Sequence, residues 1–414
     1  MVNILYFVKK SLKMEFIDFL GEMLGITKDF AVTKIEKNEV EKTINIYIEY
    51  IQKTYSKGGK EYSIYDRTPV RRWQHLNWFE YKCYLIGSLP RYVDKDGKPK
   101  VIDINFAPPQ KGYTHLFARE IIYALKKVRV QSTVADLFNT TDYIVRSIME
   151  SAVEYGLEER GLVTDFKNVS LDEKAYTKGH HYATILMDSD KNIVLDMVEG
   201  RKEKDVKQLF ITVSGNKKQP QITRVNMDMW RPFMNTIKEI APTAIIVHDK
   251  FHLFKKLSEA IDKTRRKEVK DNPQLKNQKY TVLKNAENRT EAQQEAFNQL
   301  VKDNLKTSHA WLIRENFKGI FSDKINATLN YKAWRENALS YSITAVNKVI
   351  KTFDRHLEGI LNAIITGTSS ANHENKNGLI QSVIAKARGF RNFERFRINA
   401  LFYFGKLNLI PQNI

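Results

Sequence analysis

Cysteine is the first scarcity: 414 residues contain one, Cys83. A lone thiol cannot close an internal disulfide, and with no C-x-x-C pair no zinc is expected. Long apolar runs are missing as well. No stretch approaches the roughly 20 residues that span a bilayer, so no membrane partner is expected. The opening MVNILYFVKKSLKMEF places its lysines after a short apolar stretch and has no small-residue cleavage site, unlike a secretory leader. The expectation is a cytoplasmic protein, close to the chromosome. Internal repeats and low-complexity segments are absent, which excludes solenoids and flexible linkers. Acidic residues are in short supply: 48 Asp and Glu against 67 Lys and Arg leave a net charge of +19. An excess of that size is far from the near-neutral balance of most metabolic enzymes. Counterion release makes nucleic acid its natural partner.

What is present is globular. Hydrophobic residues make up 42% and aromatics 11% of the chain, and the length suits two to four domains. Residues 9–24 place Leu12, Phe16, Phe19, Leu20 and Met23 at helical spacing. Ile44, Ile46 and Ile48 then alternate with Asn45 and Tyr47 as in a hairpin strand. Lys57-Gly58-Gly59-Lys60 reads as a turn, and residues 62–86 as further strand. There Arg71 and Arg72 adjoin Trp73 and Trp78, a basic and aromatic mixture suited to phosphate contact and stacking. A plain β-domain with tryptophans in its core fits the same residues.

Residues 114–158 read as helical. Within them, Ser132–Phe138, the polar turn Asn139-Thr140-Thr141 and Asp142–Ile148 form a helix-turn-helix pattern. Tyr143, Arg146 and Ser147 are placed on the exposed side of its second helix, within reach of a DNA groove; simple three-helix packing is the alternative. From residue 166 the texture becomes strand: 169–172, 181–188 and 193–198, then a helix through 203–211. A strand at 222–227 ends in Asp228, and after a helix at 231–240 another strand, 244–248, ends in Asp249. Three antiparallel strands followed by two helix–strand units is the order of a ribonuclease-H-like fold. Residues 251–366 are almost continuously helical and basic; between Lys250 and Arg355 there are 22 Lys and Arg and 12 Asp and Glu. Such a block either grips DNA or is a bundle with a solvated charged face. Trp311 and Trp334 within it could stack on an unpaired base, though bundle core is the commoner role.

Transfer of a phosphodiester needs charge neutralisation and in-line geometry, which two divalent metals about 4 Å apart provide. Hard Mg²⁺ prefers carboxylate oxygens. In the fold above, the first and fourth strands are neighbours, and Asp172 and Asp228 sit at their ends. A third carboxylate must come from a later helix, a place that Glu374 fits. Glu173, Asp188, Asp196 and Asp249 are alternatives in the same region.

The run Leu171-Asp172-Glu173-Lys174-Ala175-Tyr176-Thr177-Lys178-Gly179-His180-His181-Tyr182-Ala183-Thr184 resembles a motif block of the IS-L-three insertion-sequence family of DDE transposases. Val225–Phe233, Ile246–His252, and Glu374 with Asn377 and Gly389-Phe390-Arg391-Asn392-Phe393 are similar to three further blocks of that family, in the same order. The resemblance covers roughly residues 110–405. It implies a bacterial DNA transposase that binds terminal inverted repeats and carries out metal-dependent strand cleavage and strand transfer. Asp172, Asp228 and Glu374 are then the catalytic and metal-binding triad for two Mg²⁺ or Mn²⁺ ions. Asp249 and His252, a D-x-x-H pair, and Asn377 take supporting roles. Lys386, Arg388 and Arg391 are expected on phosphates of the end DNA, with Tyr143, Arg146, Ser147, Arg71 and Arg72 as further DNA contacts.

Two departures from the family stand out. The cysteine pairs usual near its N-terminus are missing, and Ser369–His373 replaces a frequent Ser-Asn-Gly before the glutamate. The expected order is a zinc-free α+β domain over 1–108 and a helix-turn-helix domain over 109–163. A ribonuclease-H-like mixed sheet over 164–250 follows, interrupted by an all-α insertion over 251–366, and 367–414 supplies the closing helix and tail. Expected partners are double-stranded DNA, both element ends and target, and further copies of the chain, in a dimer or higher assembly. A nuclease of the same fold, an inactive relative that only binds DNA, and a basic RNA-binding protein are the rival readings.

Overall fold

The computed structural model describes residues 19–26, 28–177, 179, 181–367 and 389–411. The chain is mixed α/β and divides into two compact units, residues 1–160 with 407–414 and residues 161–406.

In the first unit, strands β1 (Phe30–Asn38), β2 (Thr43–Tyr50), β5 (Arg71–Trp78) and β6 (Tyr81–Gly87) form one sheet in the order β1-β2-β6-β5. The alternation at 44–48 behaves as the pattern dictates: Ile44, Ile46 and Ile48 are buried. A second sheet, in the order β3-β4-β7-β8, joins β3 (Thr54–Lys57), β4 (Lys60–Arg67), β7 (Pro90–Val93) and β8 (Pro99–Val101). Lys57 pairs with Lys60 across Gly58 and Gly59, whose φ angles are +58° and +75°. Two successive left-handed residues match the twist of a tight hairpin, and glycine adopts them without strain. Trp73 is wholly buried and Trp78 packs against the same core, so these rings are core rather than stacking platforms. Of the helix expected over 9–24, residues 19–23 are helical and residues 9–18 lie outside the described residues; the rest of the regular structure described up to 108 is strand. Leu20 of this helical end and Leu24 just after it are buried, leaving Phe19 and Met23 exposed. Spacing alone could not tell which stripe the sheet would cover.

Three helices follow: α1 (His115–Val128), α2 (Gln131–Leu137) and α3 (Asp142–Arg160). Thr114 caps α1 by accepting a hydrogen bond from Phe117 N. The turn between α2 and α3 is pinned to β5. Gln74 accepts from the Thr140 hydroxyl at 2.8 Å, and the Asn77 amide donates to the Phe138 carbonyl at 3.2 Å.

In the second unit, β9 (Asn168–Ala175), β10 (Tyr182–Asp188), β11 (Ile193–Glu199), β12 (Arg224–Met227) and β13 (Ile245–His248) form a five-stranded sheet in the order β11-β10-β9-β12-β13. The first three strands pair antiparallel; β12 runs parallel to both β9 and β13. Parallel neighbours need crossovers, and helices α4 (Glu203–Ser214) and α5 (Arg231–Ile240) supply them. Every residue of β10 after Tyr182 is buried, as expected for a strand covered on both faces. Val169, Leu171, Leu186 and Val225 pack with Phe210, Phe233 and Ile237 of α4 and α5 to make one core.

Beyond the sheet, α6 (Lys250–Glu268) leads into α7 (Lys279–Leu283), α8 (Glu291–Lys302), α9 (Lys306–Ile320), α10 (Ala327–Ser340), α11 (Thr344–Arg355) and α12 (Leu357–Thr366). These helices share a separate core that includes Phe317, Trp334 and Phe353. Trp334 and Trp311 are engaged there, their Nε1 atoms donating to the carbonyls of Ile313 and Lys284. Helix α12 returns to the sheet: Asn362 donates to the Ile246 carbonyl at 2.9 Å. Its Gly359 lies so near His248 that a Cβ there would stand 2.5 Å from the ring. Finally, α13 (Phe393–Phe404) packs against β11.

Candidate active site

Leu171 pairs with Met227 across the parallel ladder of β9 and β12, so the next residue of each, Asp172 and Asp228, stands beside the other. Sequence placed Asp172 at a strand end. The structure carries β9 on to Ala175, and Asp172 marks only the end of its pairing with β12. The next element completes the arrangement. Asp249 N donates to the Met227 carbonyl at 3.0 Å, and the Asp249 carboxylate caps α6 by accepting from Phe251 N at 2.8 Å. The capped first turn presents His252 to both carboxylates: its Nδ1 lies 3.3 Å from Asp228 Oδ2 and its Nε2 3.9 Å from Asp172 Oδ1.

The pair is recessed, with side chains 11% exposed for Asp172 and 28% for Asp228. Asp172 Oδ1 accepts from Glu173 N at 2.8 Å, and Asp228 Oδ1 accepts from Met229 N at 2.6 Å. Asp172 Oδ2 is buried and accepts no hydrogen bond among the described residues, although the Lys174 ammonium is 3.1 Å away. A buried carboxylate oxygen is costly unless a cation reaches it, and here Lys174 supplies one such charge. Adjacent carboxylates also repel, a further demand for positive charge between them. The donor set is all oxygen, the type that hard divalent cations prefer, so these residues fit such an ion. Among the described residues, no group of three or more His, Cys, Asp or Glu forms a complete metal site. Glu374, Asn377, Lys386 and Arg388 lie outside the described residues.

The rival carboxylates all have other work. Glu173 pairs with Arg201 at 3.0 Å. Asp188 holds the β10–β11 turn by accepting from Asp190 N and Lys191 N, both at 2.9 Å. Asp196 is buried against Arg397, and Asp249 is the cap of α6.

The candidate DNA contacts divide. Tyr143 is exposed, and Arg146 lies 3.9 Å from Glu150 on the same helix. Ser147 does not lie on the exposed side: it is buried, and Lys111 donates to its hydroxyl at 3.1 Å. Lys111 approaches from a preceding loop, so helical periodicity could not reveal it. Arg71 donates to the Lys111 carbonyl, and Arg72 lies over the Tyr84 ring at 3.4 Å. Arg391 is exposed. Cys83 is fully buried in the first sheet, and burial pushes its thiol pKa up to about 12. Sequence reasoning missed Arg201, which lies between the strand read at 193–198 and the helix read at 203–211, and the approach of Lys174 to Asp172. The one available signal for Lys174 was its place two residues along the same strand, hence on the same face as Asp172.

Comparison with known proteins agrees in kind. The profile of ISL3-type DDE transposases, described as a transposase family, matches residues 169–400, more than half of the chain. The transposase for insertion sequence element IS1001 of Bordetella parapertussis is 25% identical over 401 residues, covering 92% of this chain and 98% of that protein. The transposase for insertion sequence element IS1557 of Mycobacterium tuberculosis is 24% identical over 368 residues, covering 81% of this chain and 82% of its own length.

Proposed function

Since the chain belongs to the ISL3-type family of DDE transposases, we propose that it binds the terminal inverted repeats of an insertion sequence and catalyses metal-dependent strand cleavage and strand transfer. The single observation that carries this reading is the pairing of Leu171 with Met227, which sets Asp172 and Asp228 at neighbouring positions of the sheet, both within 4 Å of His252. Three antiparallel strands joined to two parallel ones, with helices crossing between, support a ribonuclease-H-like catalytic sheet. The helical block from 250 is then an insertion between the second and third carboxylates.

Asp172 and Asp228, with Glu374 as third member, would hold two Mg²⁺ or Mn²⁺ ions. Such ions, when bound, neutralise the phosphate and clamp the attacking and leaving oxygens in line. The chain's own part is preorganisation. The Glu173 and Met229 amides fix Oδ1 of each carboxylate, while Oδ2 of Asp172 faces the Lys174 ammonium and Oδ2 of Asp228 faces His252. His252, held by the Asp249 cap, stands between the two groups. Helices α2 and α3 serve as the helix-turn-helix, with Tyr143 and Arg146 toward DNA and the net charge of +19 drawing the duplex in. Two or more protomers would pair the element ends, in the nucleoid of a bacterial cell. Among the described residues, no helix is long and apolar enough to cross a membrane.

The test is cleavage of end-bearing duplex with Mg²⁺ or Mn²⁺ by the wild type and by Asp172→Asn, Asp228→Asn and Glu374→Gln. Metal-dependent cutting at the ends, lost in each variant while end binding persists, is the expected result. End binding without cutting by the wild type would leave a DNA-binding relative instead.

A further inference from the structure

Behind the carboxylate pair, on the opposite face of the sheet, one side chain ties together the elements that carry it. Successive residues of a strand face opposite ways, so Glu173 points away from Asp172. It meets Arg201, just after β11, whose Nη1 lies 3.0 Å from both oxygens of the Glu173 carboxylate. The same guanidinium lies between two rings, 4.1 Å from the centroid of Tyr182 and 4.6 Å from that of Trp230. The indole of Trp230 also donates to the Arg201 carbonyl at 3.2 Å. The backbone that delivers Arg201 is fixed as well. Gly200 N donates to the Tyr182 carbonyl at 2.8 Å, and the Thr184 hydroxyl donates to the Gly200 carbonyl at 2.7 Å. Arg201 therefore touches β9 one residue past Asp172, β10 at its start, and the loop two residues past Asp228.

We propose that Arg201 is a positioning residue that holds the Asp172 strand and the Asp228 loop at a fixed separation, so that the two carboxylates are set for a divalent cation. The inference rests on the carboxylate-pair reading above. Two adjacent carboxylates repel, and a four-residue strand such as β12 offers few ladder bonds to resist that force. A guanidinium over two rings, with one nitrogen shared between both oxygens of a carboxylate, supplies the missing restraint from behind. Lysine keeps the charge, and can reach the carboxylate with its single nitrogen, but loses the broad planar contact with the two rings.

The experiment is Mn²⁺ binding to the full chain, read as the loss of the free-ion electron paramagnetic resonance signal, with thermal midpoints measured on the same samples. Wild type, Arg201→Lys, Glu173→Gln and Asp228→Asn are compared. Residues that orient metal ligands change metal affinity by roughly 10–100-fold when altered. Arg201→Lys is expected to weaken Mn²⁺ at least about tenfold, and Glu173→Gln, which keeps the shape of the pair, is expected to weaken it less. A role in stability alone would lower the thermal midpoint and leave Mn²⁺ affinity of the folded protein unchanged, which would overturn the proposal. If Arg201→Lys does not fold, Glu173→Gln decides by the same criterion. A wild type that binds Mn²⁺ no better than Asp228→Asn would remove the metal reading itself, and the inference with it.

Discussion

Replacing Arg397 by methionine is expected to be among the most destabilising single changes available outside the apolar cores. Arg397, on α13, meets Asp196 of β11 as a fork: Nε to Oδ1 is 2.7 Å and Nη2 to Oδ2 is 2.8 Å. Only 4% of the Asp196 side chain is exposed, and its Oδ1 also accepts from Met197 N at 2.7 Å. Burial alone would lower the guanidinium's pKa, but the bonds to Asp196 carry it above its usual value. Arg397→Met leaves a buried carboxylate with no counter-charge, and breaking one side of a buried pair costs about 3–5 kcal/mol. At about 2–4 °C per kcal/mol for a unit of this size, the thermal midpoint should fall by roughly 6–20 °C. Asp196→Leu combined with Arg397→Met should recover most of that loss, because an apolar pair avoids the desolvation that the ions pay. Calorimetry on the four proteins of the cycle reads both numbers. A single variant losing less than about 1 kcal/mol, the range of exposed pairs, would refute the claim that this pair anchors the closing helix.

Acid should weaken both units, because burial lowers the pKa of His75 in the first and of His248 in the second to about 4. The unfolded imidazoles protonate below about 6.5 while the folded ones stay neutral, so stability is full above 6.5 and is lost as pH falls toward 4. By pH 5 each histidine contributes a loss of about 2 kcal/mol; denaturant midpoints that do not move between pH 7 and 5 would contradict this. Cys83, buried and with its thiol pKa pushed up to about 12, should resist a chromogenic disulfide in the native protein and react fully once unfolded. Prompt native reaction would place it elsewhere. Gly359→Ala drives a methyl into His248, 2.5 Å from the ring, and should cost about 1–3 kcal/mol; an unchanged thermal midpoint would show that α12 can shift away.

Much of the architecture was readable because local patterns carry it. Ile44, Ile46 and Ile48 alternate, and the Gly58-Gly59 pair permits only a few turns. The run 183–187 is a buried interior strand of its sheet, and Asp228 directly follows the strand read at 222–227. What the sequence hid depends on residues far apart in the chain. Arg397 reaches Asp196 across 201 positions, and Lys111 covers Ser147 from a loop. His252 meets the carboxylates only because β13 and the Asp249 cap aim the first turn of α6 at them. The same limit applies to the rival acids. Asp196 and Glu173 look as available as Asp172 until their arginines are seen. Which of the apolar residues at 19–24 are buried was not readable for a related reason: Phe19 and Leu20 are both apolar, and only the sheet decides between them.

The most direct test of the central claim is a joining assay with a pre-cut element end that carries a free 3′-hydroxyl, a plasmid target, and Mg²⁺. The wild type should insert the end into the target, and Asp228→Asn should bind the same end without joining it. Cutting of the target with no joined product would point to a nuclease of related chemistry, and joining by Asp228→Asn would remove that carboxylate from the mechanism.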